Sequence, residues 1–166
     1  MAEITVIPSD DPEQIYRQME NLLDANETLL TQMANAAALL YWSLRDVNWA
    51  GFYLLTGEYL QLGPFQGKPA CTVISLGSGV CGTAAAENRT LVVPDVQTFS
   101  GHIACDPDSR SEVVVPLRSD DGIWGVLDID SPVEDRFRST EIELFERTAA
   151  LLDRRRITAE GTLFPA

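Results

Sequence analysis

The hydrophobic period of this chain changes at Asn48. Before Asn48, apolar residues recur every three or four positions in two stretches, which predicts amphipathic helices over about residues 12–26 and 28–44. From Asn48 the period is two, so a strand over residues 49–53 would place alternate side chains on opposite faces. A chain that changes from helices to strands in this way is predicted to be an α+β protein.

Two β-hairpins are predicted after this change. A turn at residues 56–58 separates the first strand from a second over residues 59–62, and residues 64–69, with a proline at each end, are expected to form a loop. A second antiparallel hairpin is predicted over residues 111–118 and 123–131.

The length of 166 residues allows one domain with a substantial core and is too short for two ordinary domains. A last helix is predicted to begin with Ser139 as its cap. We therefore expect a single domain over residues 1–166, with a core at about residues 15–150 and short tails. Its central antiparallel sheet should carry helices on one face and a small-molecule pocket on the other.

The charge of the chain excludes several kinds of partner. With 25 acidic and 12 basic residues the net charge is −13, so nucleic acids and anionic membranes would be repelled. The first residues show no basic region followed by an apolar one, and the longest apolar stretch, residues 33–44, is too short to span a bilayer. We expect a cytoplasmic protein with neither nucleic acid nor membrane as a partner.

All three cysteines and the only histidine, His102, lie within residues 71–105. An odd number of cysteines without a secretion signal argues against a framework of structural disulfides. A zinc site is not expected, because there is no C-x-x-C pair and the cysteine spacings match no common site. The thiols are then either catalytic or small buried hydrophobic groups.

Cys81 is the most acidic thiol by local physics. It falls in the first turn of a helix predicted over residues 80–87, where unpaired N–H groups and the helix dipole stabilise a thiolate. Cys105 has the opposite surroundings, because Asp106 and Asp108 lie close to it in sequence and disfavour a thiolate.

Three carboxyl groups are candidates for a binding site. Asp128 and Asp130 alternate with apolar residues in one predicted strand, so they share a face about 6.5 Å apart. Glu112 joins them only if the hairpin pairs even-numbered residues with even-numbered ones, which the turn leaves open. One interpretation is a solvated face. The other is a site that holds an ammonium group or keeps one carboxyl protonated as a proton donor.

Trp49 and Tyr53 share one face of the strand predicted over residues 49–53. An aromatic pair that faces one way is typical of a hydrophobic core. Because Gly51 lies between the two rings, they are also suited to lining a small-molecule pocket.

Five blocks of sequence carry a more specific signal: Asn48-Trp-Ala-Gly-Phe-Tyr53, Leu62-Gly-Pro-Phe-Gln-Gly-Lys-Pro-Ala-Cys71, Gly79-Val-Cys-Gly-Thr-Ala84, Gly101-His-Ile-Ala-Cys-Asp106 and Gly125-Val-Leu-Asp-Ile-Asp-Ser-Pro132. Together they resemble the free methionine-R-sulfoxide reductases, which are built on a GAF-type fold. The resemblance covers about residues 15–150, and several blocks together are far more specific than one motif.

The resemblance implies an enzyme that reduces free L-methionine R-sulfoxide to L-methionine by thiol chemistry, without a metal or organic cofactor. It places the nucleophile on Cys105, which becomes a sulfenic acid. It places the main resolving thiol on Cys71 and a secondary or alternative one on Cys81. The resulting disulfide would be recycled by a thioredoxin-type reductant.

The resemblance also assigns the substrate-binding residues. Trp49 and Tyr53 fall where the family surrounds the substrate methyl group, and Glu112, Asp128 and Asp130 fall where it holds the polar end. None of these positions departs from the family pattern. The proton donor is either Glu112 or Asp130, and the sequence does not choose between them.

The main alternative is a GAF module that senses a small molecule without transforming it, since most domains of this architecture only bind their ligands. Such modules normally accompany effector domains, and we expect none in this chain. A homodimer through the N-terminal helices is compatible with the sequence, which does not fix the oligomeric state.

Overall fold

The computed structural model describes most of the chain, namely residues 7, 9–24, 26–101, 103 and 105–158, with side chains up to Arg156. His102, which was considered as a zinc ligand, lies outside the described residues. The ends of the predicted tails, residues 1–6 and 159–166, lie outside them as well.

The helices predicted from the hydrophobic period are present, although the first ends at Leu22 and not near residue 26. The four helices are α1 (Pro12–Leu22), α2 (Leu29–Ser43), α3 (Gly79–Glu87) and α4 (Ser139–Thr158). None of these helices, which are those of the described part of the chain, combines the length and apolar character that a bilayer span requires.

Side-chain caps explain where the helices begin. The side chains of Asp11 and Thr28 each accept a hydrogen bond from a backbone N–H in the first turn of α1 and α2. Ser139 is the first residue of α4 and not its cap. The cap position falls on Arg138, whose backbone N–H donates to the carboxylate of Glu141. The predicted cap was therefore one residue too late.

Six strands form one antiparallel sheet in the order β3-β2-β1-β6-β5-β4. Both predicted hairpins are confirmed, as β1–β2 and β5–β6. The strands are β1 (Trp49–Thr56), β2 (Tyr59–Gly67), β3 (Val73–Ser75), β4 (Leu91–Val93), β5 (Ser111–Ser119) and β6 (Gly122–Ser131).

The two faces of the sheet are covered differently. One face packs against α1, α2 and α4 in a core that includes Phe52 and Phe145. The other face carries a second apolar cluster, which includes Trp49, Tyr53 and residues of α3. The predicted fold class is confirmed, and so is the division of β1 side chains between two faces. One detail differs, because α3 lies on the pocket side of the sheet.

The predicted loop over residues 64–69 is wrong in its first part, because β2 continues to Gly67. The pairing of β1 with β2 is irregular between Gly51 and Tyr53, and Pro64 falls opposite this irregular segment. A bulge tolerates proline, because the missing N–H interrupts no regular ladder bond there. The strand therefore passes through a proline that the sequence pattern treats as a terminator.

The close approach of α3 to β3 depends on Gly82, because a Cβ at this position would collide with the carbonyl oxygen of Ser75. Gly82→Ala should lower the free energy of unfolding by about 1–3 kcal/mol through this overpacking. The loss should appear in urea denaturation even though alanine is the better helix former by about 1 kcal/mol.

Ala86→Gly is the matched control, because Ala86 is an exposed position of the same helix. This variant should lose only about 0.5–1 kcal/mol, through helix propensity alone. A Gly82→Ala protein as stable as the wild type would show that α3 and β3 are not in close contact.

Candidate active site

Cys71 and Cys105 form a disulfide bond, and their Cα atoms are 5.4 Å apart. Cys71 lies in the segment between β2 and β3, and Cys105 lies in the loop that leads into β5. Cys81 is free and buried. The structure therefore joins the two thiols to which the resemblance gives the roles of nucleophile and main resolving thiol.

A cavity of about 30 Å³ lies beside this disulfide, on the α3 side of the sheet. Seven of the eight site residues nominated from the sequence line it, and the eighth, Cys71, is bonded to Cys105. The structure thus brings all the nominated residues to one place, while their individual roles stay predictions. The seven are Trp49, Tyr53, Cys81, Cys105, Glu112, Asp128 and Asp130.

Trp49 and Tyr53 form one wall of the cavity. Their rings stack with centroids 5.8 Å apart, and Trp49 also stacks on Phe65 with centroids 5.3 Å apart. Gly51 makes this stack feasible, because a Cβ there would collide with the Trp49 ring and with Phe65. The wall is apolar and rigid, which suits it to an apolar group of a ligand.

The polar atoms of the same two aromatics hold the segment that carries Cys71. The indole Nε1 of Trp49 donates to the carbonyl oxygen of Lys68 at 3.2 Å. The hydroxyl of Tyr53 donates to the carbonyl oxygen of Cys71 at 3.1 Å. The aromatic wall is therefore also a support for this cysteine.

A β-bulge in β6 decides the position of Glu112. Next to the turn, Ser119 pairs with Gly122, so odd-numbered residues face even-numbered ones. The pairing shifts between Leu117 and Arg118 because Trp124 is an extra residue in β6, and beyond it even numbers face even numbers. The sequence left open whether even-numbered residues of the two strands pair with each other, and at Glu112 they do.

The three carboxyl groups consequently share the cavity face. Glu112 lies directly opposite Asp130, and Asp128 lies opposite Gly51 of β1. Glu112 is 7% exposed and Asp128 is 6% exposed. The interpretation of this face as solvated is therefore wrong for Glu112 and Asp128, which are buried, while Asp130 is half-buried.

Burial raises the pKa of every acid in this cluster. It raises the pKa of Asp128 to about 7. The pKa values of Glu112 and Asp130 rise well above the ordinary range through burial and through repulsion from Asp128. Asp128 Oδ1 is buried and has no hydrogen-bond partner. A buried carboxylate of this kind is stabilised by a positive group, so the cluster is suited to an ammonium ligand.

The expectation that Cys81 is an acidic thiol is wrong. It does lie in the first turn of α3, but burial, together with repulsion from Asp128 and Glu112, raises the pKa of its thiol well above the ordinary value. Its Sγ donates to Glu112 Oε1 over 3.8 Å. The helix dipole is outweighed by burial and by carboxyl groups that two strands distant in sequence bring to the thiol.

Sequence reasoning missed a polar network beside Cys105. Asn48 Nδ2 donates to Asp106 Oδ2 at 3.0 Å. Lys68 Nζ lies 3.5 Å from Asp106 Oδ1 and also pairs with Asp108. One signal was available, because Lys68 is the only lysine in the sequence and lies within a block that carries the resemblance.

One group of potential metal ligands occurs in the part of the chain that the structure describes. The ligand atoms of Cys81, Glu112 and Asp128 lie within 4.8 Å of one another. Two of these three are carboxyls that the resemblance places at the polar end of the substrate. A metal ion and an ammonium group would therefore compete for the same oxygen atoms.

Comparisons with known proteins identify the family. The GAF domain family matches residues 17–154. The free methionine-R-sulfoxide reductase of Escherichia coli (strain K12) is 52% identical over 135 residues, which are 81% of this chain and 82% of that protein. The protein of the same name from Saccharomyces cerevisiae is 42% identical over 150 residues, which are 86% of this chain and 83% of that one.

Solved structures agree with the sequence comparison. The X-ray structure of free methionine-R-sulfoxide reductase from Neisseria meningitidis in complex with its substrate has a TM-score of 0.88 and 39% identity, over 96% of this chain and 98% of that chain. This chain belongs to the GAF-domain family and, within it, to the free methionine-R-sulfoxide reductases.

The acid cluster predicts how stability depends on pH. The pKa of Asp128 in the folded protein, about 7, lies above its ordinary value, so the folded protein keeps a proton that the unfolded chain releases. This stabilisation is fully present below the ordinary carboxyl pKa and is lost as the pH rises through about 7. The free energy of unfolding should fall by roughly 2–3 kcal/mol between about pH 5 and about pH 8.

Urea denaturation of the disulfide form at the two pH values measures this fall. Asp128→Asn should reduce it, because the variant lacks the titrating group. Asp120→Asn is the control, since Asp120 is exposed in the β5–β6 turn, and it should leave the fall unchanged. A fall of wild-type size in Asp128→Asn would contradict the assignment of this pH dependence to Asp128.

Proposed function

We propose that this chain reduces free L-methionine R-sulfoxide to L-methionine, with Cys105 as the nucleophile and Cys71 as the resolving thiol. The observation that carries the proposal is the Cys71–Cys105 disulfide beside a cavity that combines an aromatic wall with buried carboxyls. Cys81 takes a secondary role, because its buried thiol has a raised pKa and is a poor nucleophile.

In the first half of the reaction the Cys105 thiolate attacks the sulfoxide sulfur while a carboxyl group protonates the oxygen. The bond between the substrate sulfur and its protonated oxygen breaks, the hydroxyl is transferred to Cys105 as a sulfenic acid, and methionine leaves. Trp49 and Tyr53 contact the substrate methyl group. The R configuration is favoured because the oxygen then points to the acids while the methyl group meets the aromatic wall.

The three carboxyl groups have two different roles, binding of the substrate ammonium and donation of a proton. Asp128 ionises first, since its pKa is about 7 and its charge raises the pKa values of the other two. It therefore pairs with the substrate ammonium. Burial and the charge of Asp128 raise the pKa values of Glu112 and Asp130, which favours their protonated forms, and one of them is the proton donor.

In the second half the sulfenic acid of Cys105 condenses with the thiol of Cys71, which forms the disulfide and releases water. A dithiol of the thioredoxin type then reduces the disulfide by exchange. Substrate reacts only after this reduction, because attack on the sulfoxide requires the free thiolate of Cys105 and the disulfide form has none.

The proposal includes the partners of the enzyme. A thioredoxin-type reductant implies a reducing compartment, so the cytoplasm is the proposed location. A homodimer through the N-terminal helices is also proposed, because Trp42 of α2 is 74% exposed and a large exposed aromatic often marks a contact surface. Sedimentation equilibrium of the wild-type protein tests the dimer.

The cysteine assignment predicts different losses in the three serine variants. Cys105→Ser should form no methionine, whereas Cys71→Ser should release about one methionine per enzyme before it stalls, because attack needs only the nucleophile. Cys81→Ser should keep the first turnover. Methionine released per enzyme is measured by chromatography after rapid quenching, with excess free methionine R-sulfoxide, thioredoxin, thioredoxin reductase and NADPH.

Equal loss of the first turnover in Cys71→Ser and Cys105→Ser would overturn the division of roles. Loss of that turnover in Cys81→Ser alone would move the nucleophile to α3. If the wild-type protein binds methionine sulfoxide and forms no methionine, the result would support the alternative of a GAF module that senses a small molecule without transforming it.

The acid cluster predicts selectivity for a free amino group. N-acetylmethionine R-sulfoxide has no ammonium, so the buried acids stay uncompensated, at a cost of about 2–5 kcal/mol, or roughly 30-fold to several-thousand-fold in kcat/KM. The amide of methionine R-sulfoxide keeps the ammonium and is the matched control, with a smaller loss. Comparable kcat/KM for the acetylated compound and free methionine R-sulfoxide would refute ammonium recognition.

A further inference from the structure

Lys68 is the only lysine in the chain, and its side chain joins the two segments that carry the disulfide. It precedes Cys71 by three residues. Its Nζ lies 3.5 Å from Oδ1 of Asp106, the residue that follows Cys105, and it also pairs with Asp108. The ammonium therefore reaches from the segment of one cysteine to the loop of the other.

The carboxylate that Lys68 contacts is held in its charged form. Asp106 is 6% exposed. Burial by itself would raise the pKa of Asp106, but hydrogen bonds from the Asp108 N–H, Asn48 and Lys68 lower it below the ordinary value. An ionised and mostly buried carboxylate is a strong partner for an ammonium group.

The segment of Cys71 is fixed on its other side by the sheet. Trp49 and Tyr53, both buried in β1, hold the backbone carbonyls of Lys68 and Cys71. The main chain of this segment thus has a defined position, and the Lys68 side chain extends from it to the loop of Cys105.

We propose that Lys68 is a positioning residue for the resolving step, an inference that rests on the proposed roles of Cys105 and Cys71. In this step the hydroxyl of the Cys105 sulfenic acid and the proton of the Cys71 thiol leave as water, and the sulfur–sulfur bond forms. Lys68 exchanges no atom or electron. Its ammonium holds the loop of Cys105 against the segment of Cys71, so that the two sulfur atoms meet.

The Lys68 contacts shift the equilibrium from dithiol to disulfide by the amount by which they are stronger in the disulfide form than in the dithiol form. The Lys68 side chain is 58% exposed, so solvent screens its ion pairs. The shift in the equilibrium constant should therefore be modest, about threefold to tenfold.

The first experiment measures the ratio of disulfide to dithiol protein in mixtures of reduced and oxidised dithiothreitol, without substrate. Lys68→Met should lower the equilibrium constant for disulfide formation by about threefold to tenfold. Lys68→Arg keeps the charge and should stay close to wild type. Arg89→Met is the matched control, because it removes another exposed cation that is paired with a carboxylate, Glu87, and it should behave as wild type.

The second experiment follows one turnover of the reduced enzyme after rapid mixing with methionine R-sulfoxide. Release of methionine and closure of the disulfide are timed separately, by chromatography and by thiol counting. Lys68→Met should close the disulfide about threefold to tenfold more slowly, with an unchanged pH profile for the release of methionine. Lys68→Arg should restore the rate of closure.

Because the chain has one lysine, acetylation of the wild-type protein removes the same charge without a substitution. It should reproduce the slow closure, whereas reductive methylation, which keeps the charge, should not. Lys68→Arg treated with the same reagents controls for reaction elsewhere.

A wild-type redox equilibrium and closure rate in Lys68→Met would overturn the proposal. So would an equal slowing of both steps, with a shifted pH profile for methionine release, since that result would place Lys68 in the ionisation of Cys105. A wild-type enzyme that forms no methionine would refute the proposed function instead, and the dithiothreitol equilibrium would still decide the role of Lys68.

Discussion

One extra residue in β6, Trp124, sets the register on which the site depends. It is 8% exposed, and its indole Nε1 donates to Arg118 O at 3.2 Å and to Asp153 Oδ1 at 2.8 Å, so the bulge is fixed between β5 and α4. Without it, every residue of β5 beyond the bulge would face a residue of opposite parity in β6. Glu112 would then lie opposite Ile129, and the acid cluster would not assemble.

The same register brings three acidic residues to the cavity and no cationic one from the described part of the chain. Among the described residues that line the cavity, none is cationic, although Glu112, Asp128 and Asp130 converge there. The hydrophobic core on the opposite face resists a change of register, because Ile129 is fully buried among the helices. Core packing therefore holds these acids together, and their repulsion and burial raise their pKa values so that protonation relieves the unfavourable charge.

Local patterns in the sequence predicted those features that depend on neighbouring residues alone. The helix from about residue 28, the change of period at Asn48 and the two hairpins all belong to this class. The features that could not be predicted depend on contacts between distant segments. The parity of Glu112 required the bulge, and the high pKa of Cys81 required carboxyls from β5 and β6. The roles of the eight site residues came from the family resemblance, which carries information that period and spacing do not.

The double use of the aromatic wall couples two properties of the enzyme. Trp49 and Tyr53 line the cavity with their rings and hold the Cys71 segment with their polar atoms. Widening the pocket at either residue would also loosen the segment of Cys71, the proposed resolving thiol. Engineering toward bulkier sulfoxides should therefore start from Val80, which lines the cavity from α3 and does not belong to the segment of either disulfide cysteine.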